Sequence, residues 1–323
     1  MKVYITVMDS PLDITEDMKP ITDLGLEYHP IALKMTQDAQ IIERELKDAD
    51  YVIAGSERYD METMSLLPKL KLIVRNGVGY DSVDLKAAAE LGIAVCNLPG
   101  SNAYSVAEHA LGMMICLTRH MPQHTVRIKD NRYGGFISDS LTGRVWLIGF
   151  GAISKQLAKL LKIFAVEIVA YDPYVDEAVM AEYSVKKVEM EELIATSDII
   201  SLHLPALPEN YHMINAEFIA KMKDGAYFIN CARGSIVDED ALAEALLSGK
   251  LAGAGLDAFD PEPIRPDSKL MEVENIIMTP HVATGNTKCF HTVLGIGAQA
   301  IADFHTGKEP YHLLNPDYIN NAK

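Results

Sequence analysis

The sequence predicts an α/β protein built on parallel sheets, and three observations predict it. Short runs rich in β-branched and other apolar residues alternate with helical patterns of about a dozen residues. The short runs are nearly continuous in apolar character, which fits strands covered on both faces. With 323 residues, 49% of them hydrophobic, the chain is long enough for two domains and apolar enough to bury their cores.

The runs come in two sets. KVYITV, DYVIAG, LKLIVR and GIAVCN form the first. It stops at NLPGSN, where Pro99 and Gly100 punctuate the chain. The helical stretch SNAYSVAEHALGMMICLTRH follows, with Ser101 as its expected cap and Val106, Ala110, Met113, Met114 and Leu117 as an apolar stripe. The second set is RVWLIGF, VEIVAY, SDIISLHL, GAYFIN, LAGAGLD and NIIMTP, and after ATGNT comes a last helical pattern, KCFHTVLGIGAQAIADFH. The tail after Asn286 is too short for a domain of its own. One domain is therefore expected to be inserted into another: residues 1–99 and 286–323 form the outer domain and 100–285 the inner one, with a hinge at about Pro99 and Asn286.

Composition excludes several classes of partner. The chain has 29 basic and 45 acidic residues, a net charge of −16, which opposes nucleic acid. Cys96, Cys116, Cys231 and Cys289 show no paired spacing. Neither a disulfide scaffold nor a metal site is expected, and a reducing, cytoplasmic setting fits. The start, MKVYITVMDS, reads as a strand and not as a signal peptide. No run approaches the roughly 18 apolar residues of a membrane span, so no membrane partner is expected.

Within RVWLIGFGAIS, Gly149 and Gly151 stand at the first two positions of a G-x-G-x-x-G turn, and Ser154 replaces the third glycine. A strand precedes the turn and a helical pattern follows, the setting in which such a turn binds a dinucleotide. Gly149 permits the tight turn. Gly151, with Ala152 and Ile153 after it, opens a helix N-terminus to pyrophosphate. Asp172, about 20 residues on at the end of the next strand, suits the ribose hydroxyls, and its charge disfavours a 2′-phosphate. NAD is therefore the expected cofactor, in preference to NADP. Serine adds only a hydroxymethyl group at the third position and can bond locally to the backbone.

Three further segments, NCARGSIVDED, GLDAFDPEP and TPHVATGNT, each follow a predicted strand. Each offers one residue suited to hydride-transfer chemistry: Arg233, Glu262 and His281. Guanidinium is planar, permanently charged and able to hold a carboxylate bidentately. A carboxylate beside an imidazole fixes its tautomer and favours its protonated form. Of the ten histidines, only His281 has such a setting in the sequence. Cys231 reads as a small buried strand residue and not as a nucleophile.

Taken in order, NGVGYDSVD, VCNLPGSNAYSVAEHAL, GFGAIS, YDPY, SLHLP, NCARGSIVDEDAL, GLDAFDPEP and TPHVA cover nearly the whole chain. Together they resemble the NAD-dependent D-isomer-specific 2-hydroxyacid dehydrogenases, and most of all their phosphoglycerate dehydrogenase-like branch. The resemblance implies a Rossmann-type, doubly wound domain inserted into a smaller flavodoxin-like substrate domain. It implies that Arg233 binds the substrate carboxylate and polarises its carbonyl, that His281 is the general acid/base and that Glu262 is its partner. Backbone N–H groups of Asn76, Gly77, Val78 and Gly79 would take the carboxylate, with Arg233 and His281 completing the substrate site. His203, Pro205, Cys231, Ala232, Asp257 and His281 would join Gly149, Gly151, Ala152, Ile153 and Asp172 around NAD.

The partner implied is a small 2-hydroxy or 2-keto acid, and a homodimer is expected. Phosphoglycerate, glycerate and hydroxypyruvate rank ahead of lactate, and Glu262, where the formate branch uses Gln, disfavours formate. Arg75 and Arg58 are the candidate cations for a phosphate. Ala152 and Leu207 depart from the family pattern near the cofactor. No C-terminal regulatory domain is expected. The alternative function is that of an NAD(H)-sensing, corepressor-like interaction protein with little turnover.

Overall fold

The computed structural model describes residues 1–7, 12–33, 36–135 and 137–322. The chain forms two compact units, Met1–Asn102 with Asn286–Lys323, and Ala103–Gly285.

The first unit holds a five-stranded sheet: β1 (Lys2–Ile5), β2 (Glu27–Pro30), β3 (Tyr51–Ala54), β4 (Leu72–Arg75) and β5 (Ala94–Cys96), in the order β2-β1-β3-β4-β5. All pairings are parallel. Successive side chains along a strand point to opposite faces, and here both faces are buried. Tyr51, Ile53, Leu72, Val74, Ala94 and Cys96 enter one core. Val52, Ala54, Ile73 and Val95 enter the other. The helix Thr287–His305 lays Cys289, Val293, Leu294, Ala298 and Ile301 on the first of these cores, so the end of the chain returns to the sheet that its beginning builds. The Asn286 side chain caps this helix by accepting from the Cys289 N–H (2.9 Å).

The second unit holds a seven-stranded parallel sheet: β6 (Thr142–Ile148), β7 (Ala165–Tyr171), β8 (Lys186–Lys187), β9 (Ile199–Leu202), β10 (Ala226–Asn230), β11 (Leu251–Leu256) and β12 (Ile276–Met278). Its order is β12-β11-β10-β9-β6-β7-β8. The same alternation holds: Trp146, Ile148, Ile200, Leu202 and Phe228 pack on one side, and Val145, Leu147, Ile199, Tyr227 and Ile229 on the other. The strand order reverses between β6 and β9, so a crevice opens beyond their carboxyl ends, the usual ligand position in open α/β sheets.

Two strands have no counterpart among the predicted runs. β2 is EYHP, with no buried residue, pairing only with β1 at the sheet edge. β8 is a two-residue edge strand on β7. An edge strand needs no two-sided apolar face, so its composition carries no strand signal. Ser101 also differs from its expected role. Its hydroxyl donates to the Leu98 carbonyl (2.7 Å) and tightens the turn, and the helix begins at Ala103.

Beyond the carboxyl ends of β10 and β11 the backbone closes on itself. A side chain on Gly234 would collide with the carbonyl of Phe259 and the N–H of Asp260. Gly234→Ala is therefore expected to destabilise the protein by about 1–3 kcal/mol, the usual cost of overpacking, measured as a lowered midpoint of urea unfolding. An unchanged midpoint would show that this backbone approach is not constrained.

Candidate active site

The glycine turn sits on the crevice where the strand order reverses. Gly149 follows β6 with φ +89°, a conformation that only glycine adopts freely. A side chain there would strike the His203 carbonyl, 2.7 Å from its Cβ, at the end of β9. The Gly149 N–H donates to the Tyr171 carbonyl (2.9 Å) and ties the turn to β7. Gly151 is the N-cap of the helix Ala152–Leu161, and nothing lies within 4 Å of where its side chain would begin. The space beside Gly151 at the positive helix end is therefore open, which fits a pyrophosphate. Asp172 accepts from the Phe150 N–H through Oδ2 (2.8 Å) and from the Tyr174 N–H through Oδ1 (2.9 Å). These two bonds orient the carboxylate and leave each oxygen a lone pair for a ribose hydroxyl. Ser154 is fully buried, and its hydroxyl donates to the Gly149 carbonyl (2.6 Å). The missing third glycine is thus replaced by a bond that braces the turn.

Further residues lie at the ends of β9 and β10. The His203 ring approaches Ser201 Oγ through Nε2 (3.0 Å), and its buried Nδ1 has no partner among the described residues. Burial lowers this imidazole to about 4, so it is neutral at pH 7. Pro205 is exposed, and its carbonyl accepts from Asn210 Nδ2 (3.0 Å). Cys231 and Ala232 are buried. Burial, and then the charge of Asp257, holds the Cys231 thiol far above its ordinary range, which fits its reading as an inert strand residue.

Asn230, buried at the end of β10, shapes the segment that carries Arg233. Its Oδ1 accepts from the Ala232 N–H (2.9 Å), and its Nδ2 donates to the Arg233 carbonyl (2.9 Å). One guanidinium N–H of Arg233 donates to the Ala232 carbonyl (2.7 Å). The Arg233 charge also helps hold Glu262 ionised.

Glu262 and His281 form the central pair. Nδ1 of His281 lies 2.9 Å and 3.0 Å from the two carboxylate oxygens. A carboxylate only accepts, so Nδ1 carries the hydrogen and Nε2 is left for proton exchange. Burial pushes the Glu262 carboxyl upward, but the His281 hydrogen bond and charge, the Phe259 N–H and Arg233 outweigh it, and the group ends below its ordinary range. A carboxyl lowered on folding stabilises the protein above its unfolded pKa. That contribution disappears as pH falls through the lowered folded value. His281 remains 36% exposed while Glu262 is 23% exposed, so the imidazole can meet a ligand with its partner behind it.

Asp257 positions the imidazole. It is 2% exposed and accepts from Thr279 Oγ1 (2.6 Å), the Val282 N–H (2.8 Å) and the Ala283 N–H (2.9 Å). Its side chain is thus directed into the protein, at the loop that carries His281. That loop holds His281 at φ +54°, in the left-handed region that non-glycine residues seldom occupy.

His109 corrects the expectation that no other histidine has a comparable setting. Its Nε2 lies 3.1 Å from Thr279 Oγ1 and 3.8 Å from Asp257 Oδ1. Nothing in the helical stretch 101–120 signals this, because its partner Thr279 is 170 residues away. Asn230 carried a local signal, an Asn that closes an apolar strand just before a turn.

In the other unit, the loop after β4 is built on Arg75. This side chain is 8% exposed and donates from Nη1 to the Ala54 carbonyl (2.8 Å) and from Nε to the Gly79 carbonyl (3.0 Å). Arg75 is thus a strut of the loop, in place of the phosphate ligand considered from sequence. Arg58 is exposed and paired with Asp60 (2.8 Å). Of the four loop amides, Asn76 N–H donates to the Ala54 carbonyl and Gly77 N–H to the Arg75 carbonyl (both 2.8 Å). Val78 and Gly79 have no backbone acceptor among the described residues. The Val78 carbonyl accepts from Asn97 Nδ2 (2.6 Å).

Residues 111–283 match the family model of the D-isomer specific 2-hydroxyacid dehydrogenase, NAD binding domain. The chain is 34% identical over 306 residues to D-3-phosphoglycerate dehydrogenase of Archaeoglobus fulgidus, a match that covers 92% of the chain and 58% of that protein. It is 38% identical over 242 residues to hydroxypyruvate reductase of Thermotoga maritima, covering 73% of the chain and 78% of the reductase. The D-lactate dehydrogenase of Aquifex aeolicus, solved with NAD and lactic acid, has a TM-score of 0.80 and 30% identity, covering 95% of this chain and 96% of that one. The chain thus spans a little over half the length of the archaeal phosphoglycerate dehydrogenase. It belongs to the D-isomer specific 2-hydroxyacid dehydrogenase family, and its Gly149 turn and His281–Glu262 pair lie within the segment that matches the family's NAD binding domain.

Proposed function

We propose that the chain is an NAD-dependent oxidoreductase interconverting a D-2-hydroxyacid and its 2-ketoacid, of the phosphoglycerate, glycerate or hydroxypyruvate type. The observation that carries this reading is the His281–Glu262 pair, which sits in a unit whose sequence is that of an NAD binding domain.

The residues divide the work by their chemistry. Gly149, Gly151, Ala152 and Ile153 hold the pyrophosphate, and Asp172 holds the adenosine ribose. His203, Pro205, Cys231 and Ala232 lie along the same strand ends and line the cofactor's remaining length. Asp257 serves it through the 279–283 loop that it anchors. When bound, NADH supplies the hydride to the substrate's carbonyl carbon. Arg233 takes the substrate carboxylate and draws charge toward the carbonyl oxygen. The loop Asn76–Gly79 contributes to the carboxylate through its Val78 and Gly79 amides, while Asn76 and Gly77 keep the loop in shape. His281 gives its Nε2 proton to the carbonyl oxygen in reduction and accepts it in oxidation. Glu262 stabilises the imidazolium that this requires.

The chain acts as a cytoplasmic homodimer without nucleic-acid or membrane partners. The helix Met121–Lys129 supports the dimer: it buries none of its residues and exposes Met121, Val126 and Ile128. The four cysteines form no disulfide among the described residues, which fits a reducing compartment, and the net charge of −16 opposes polyanions.

The direct test is NADH oxidation with hydroxypyruvate, phosphohydroxypyruvate, glyoxylate and pyruvate. Turnover of at least one is expected, and turnover of none would overturn the reading. Arg233→Ala is expected to lower kcat/KM for the ketoacid by about a hundredfold or more. NADH affinity, followed by fluorescence titration, should stay within about threefold; equal losses in both would move Arg233 out of the substrate site. Glu262→Gln replaces the carboxylate beside His281 Nδ1 with a neutral amide. It is expected to lower kcat/KM by about tenfold or more while NADH affinity stays within about threefold, and an unchanged kcat/KM would separate Glu262 from the proton transfer.

A further inference from the structure

In a parallel sheet ordered β2-β1-β3-β4-β5 the strand order reverses between β1 and β3, and ligands collect beyond the carboxyl ends of those two strands. Thr6 follows β1 and Gly55 follows β3, and the Gly55 N–H donates to Thr6 Oγ1 (2.9 Å), closing the floor of the crevice. Glu57 folds back over this floor. A Cβ on Gly55 would lie 2.8 Å from its Oε1 and 3.2 Å from its Oε2. The Glu57 side chain is almost wholly enclosed, at 1% exposure, and its Oε2 finds no partner among the described residues. The Tyr59 hydroxyl, buried nearby, finds none either.

The substrate loop is joined to this spot. The Ala54 carbonyl, one residue before Gly55, accepts from both Asn76 N–H and Arg75 Nη1. Arg75, the cation at the base of the loop, bonds Ala54 and Gly79 and lies within electrostatic reach of Glu57 and Tyr59.

We infer that Glu57 is a specificity-determining residue, whose carboxyl at the switch-point crevice restricts the substrate to ketoacids without a phosphate or other second anionic group. This deepens the dehydrogenase reading above and rests on it. A phosphate carries about two negative charges and is recognised by cations or clustered N–H donors. Here it would meet a buried carboxyl, little screened by solvent. Burial already raises the Glu57 carboxyl above its ordinary range, against the pull of Thr6, the neighbouring amides and Arg75. The whole-chain charge of −16 also disfavours a further anion.

The test is steady-state NADH oxidation by the wild-type protein. It compares phosphohydroxypyruvate with the best of hydroxypyruvate, glyoxylate and pyruvate. The unphosphorylated acid is expected to have the higher kcat/KM by about tenfold or more. Glu57→Gln should narrow that ratio by about threefold or more through a gain on the phosphorylated acid. Glu57→Asp, which keeps the charge, should largely preserve it. Equal or better use of phosphohydroxypyruvate by the wild type overturns the inference and leaves the dehydrogenase reading standing. A folded Glu57→Gln that loses activity on both acids in proportion removes Glu57 as the determinant. Turnover of no ketoacid defeats both readings together. The wild-type ratio decides the substrate class whether or not either variant folds.

Discussion

One buried carboxylate governs the loop that carries His281. Asp257 lies almost out of solvent, where an unpartnered charge would be prohibitive. It is tolerated because a hydroxyl and two backbone amides from Thr279, Val282 and Ala283 converge on it. Satisfying that charge bends the chain after β12 into a tight loop. His281 is carried on the loop in a backbone conformation that costs about 1–3 kcal/mol in isolation. The loop's bonds to Asp257 over-determine that conformation, and the imidazole is presented to Glu262 as a consequence.

The same logic recurs across the glycine turn. A dinucleotide needs backbone amides and open space at the start of a helix, and the protein must hold that backbone still without filling the space. Ser154 does this from behind, through the Gly149 carbonyl, and Asp172 from the side, through the Phe150 amide. Both bonds constrain the turn while leaving the ground above Gly151 clear. A serine at the third position is therefore compatible with a working site, because the helix and strand still approach closely and the added hydroxyl has an acceptor.

Positive charge is outnumbered in this chain, with 29 basic against 45 acidic residues. Arg233 carries the positive charge of the proposed substrate site, while Arg75 is committed to shaping a loop. Two guanidinium groups that look alike in the sequence thus have different work. The difference comes from burial and from which carbonyl oxygens surround each one.

The sequence by itself determined the fold class and the ten strands with continuous apolar runs, and it singled out the Gly149 turn, Arg233, Glu262 and His281 as candidates. These are local signals: a strand buried on both faces must be apolar, and a turn that admits pyrophosphate must contain glycine. The edge strands β2 and β8 were illegible because neither contains a buried residue. Only the tertiary structure decided that Asp257 turns inward to hold the His281 loop, that His109 and Thr279 stand beside it, that Arg75 is a strut, and that Glu57 folds back beside Gly55. Each of these depends on a partner contributed by a different strand or helix. A side chain's charge or hydrogen-bonding capacity is written in its type, but what it does is set by the atoms that folding brings within about 3 Å of it.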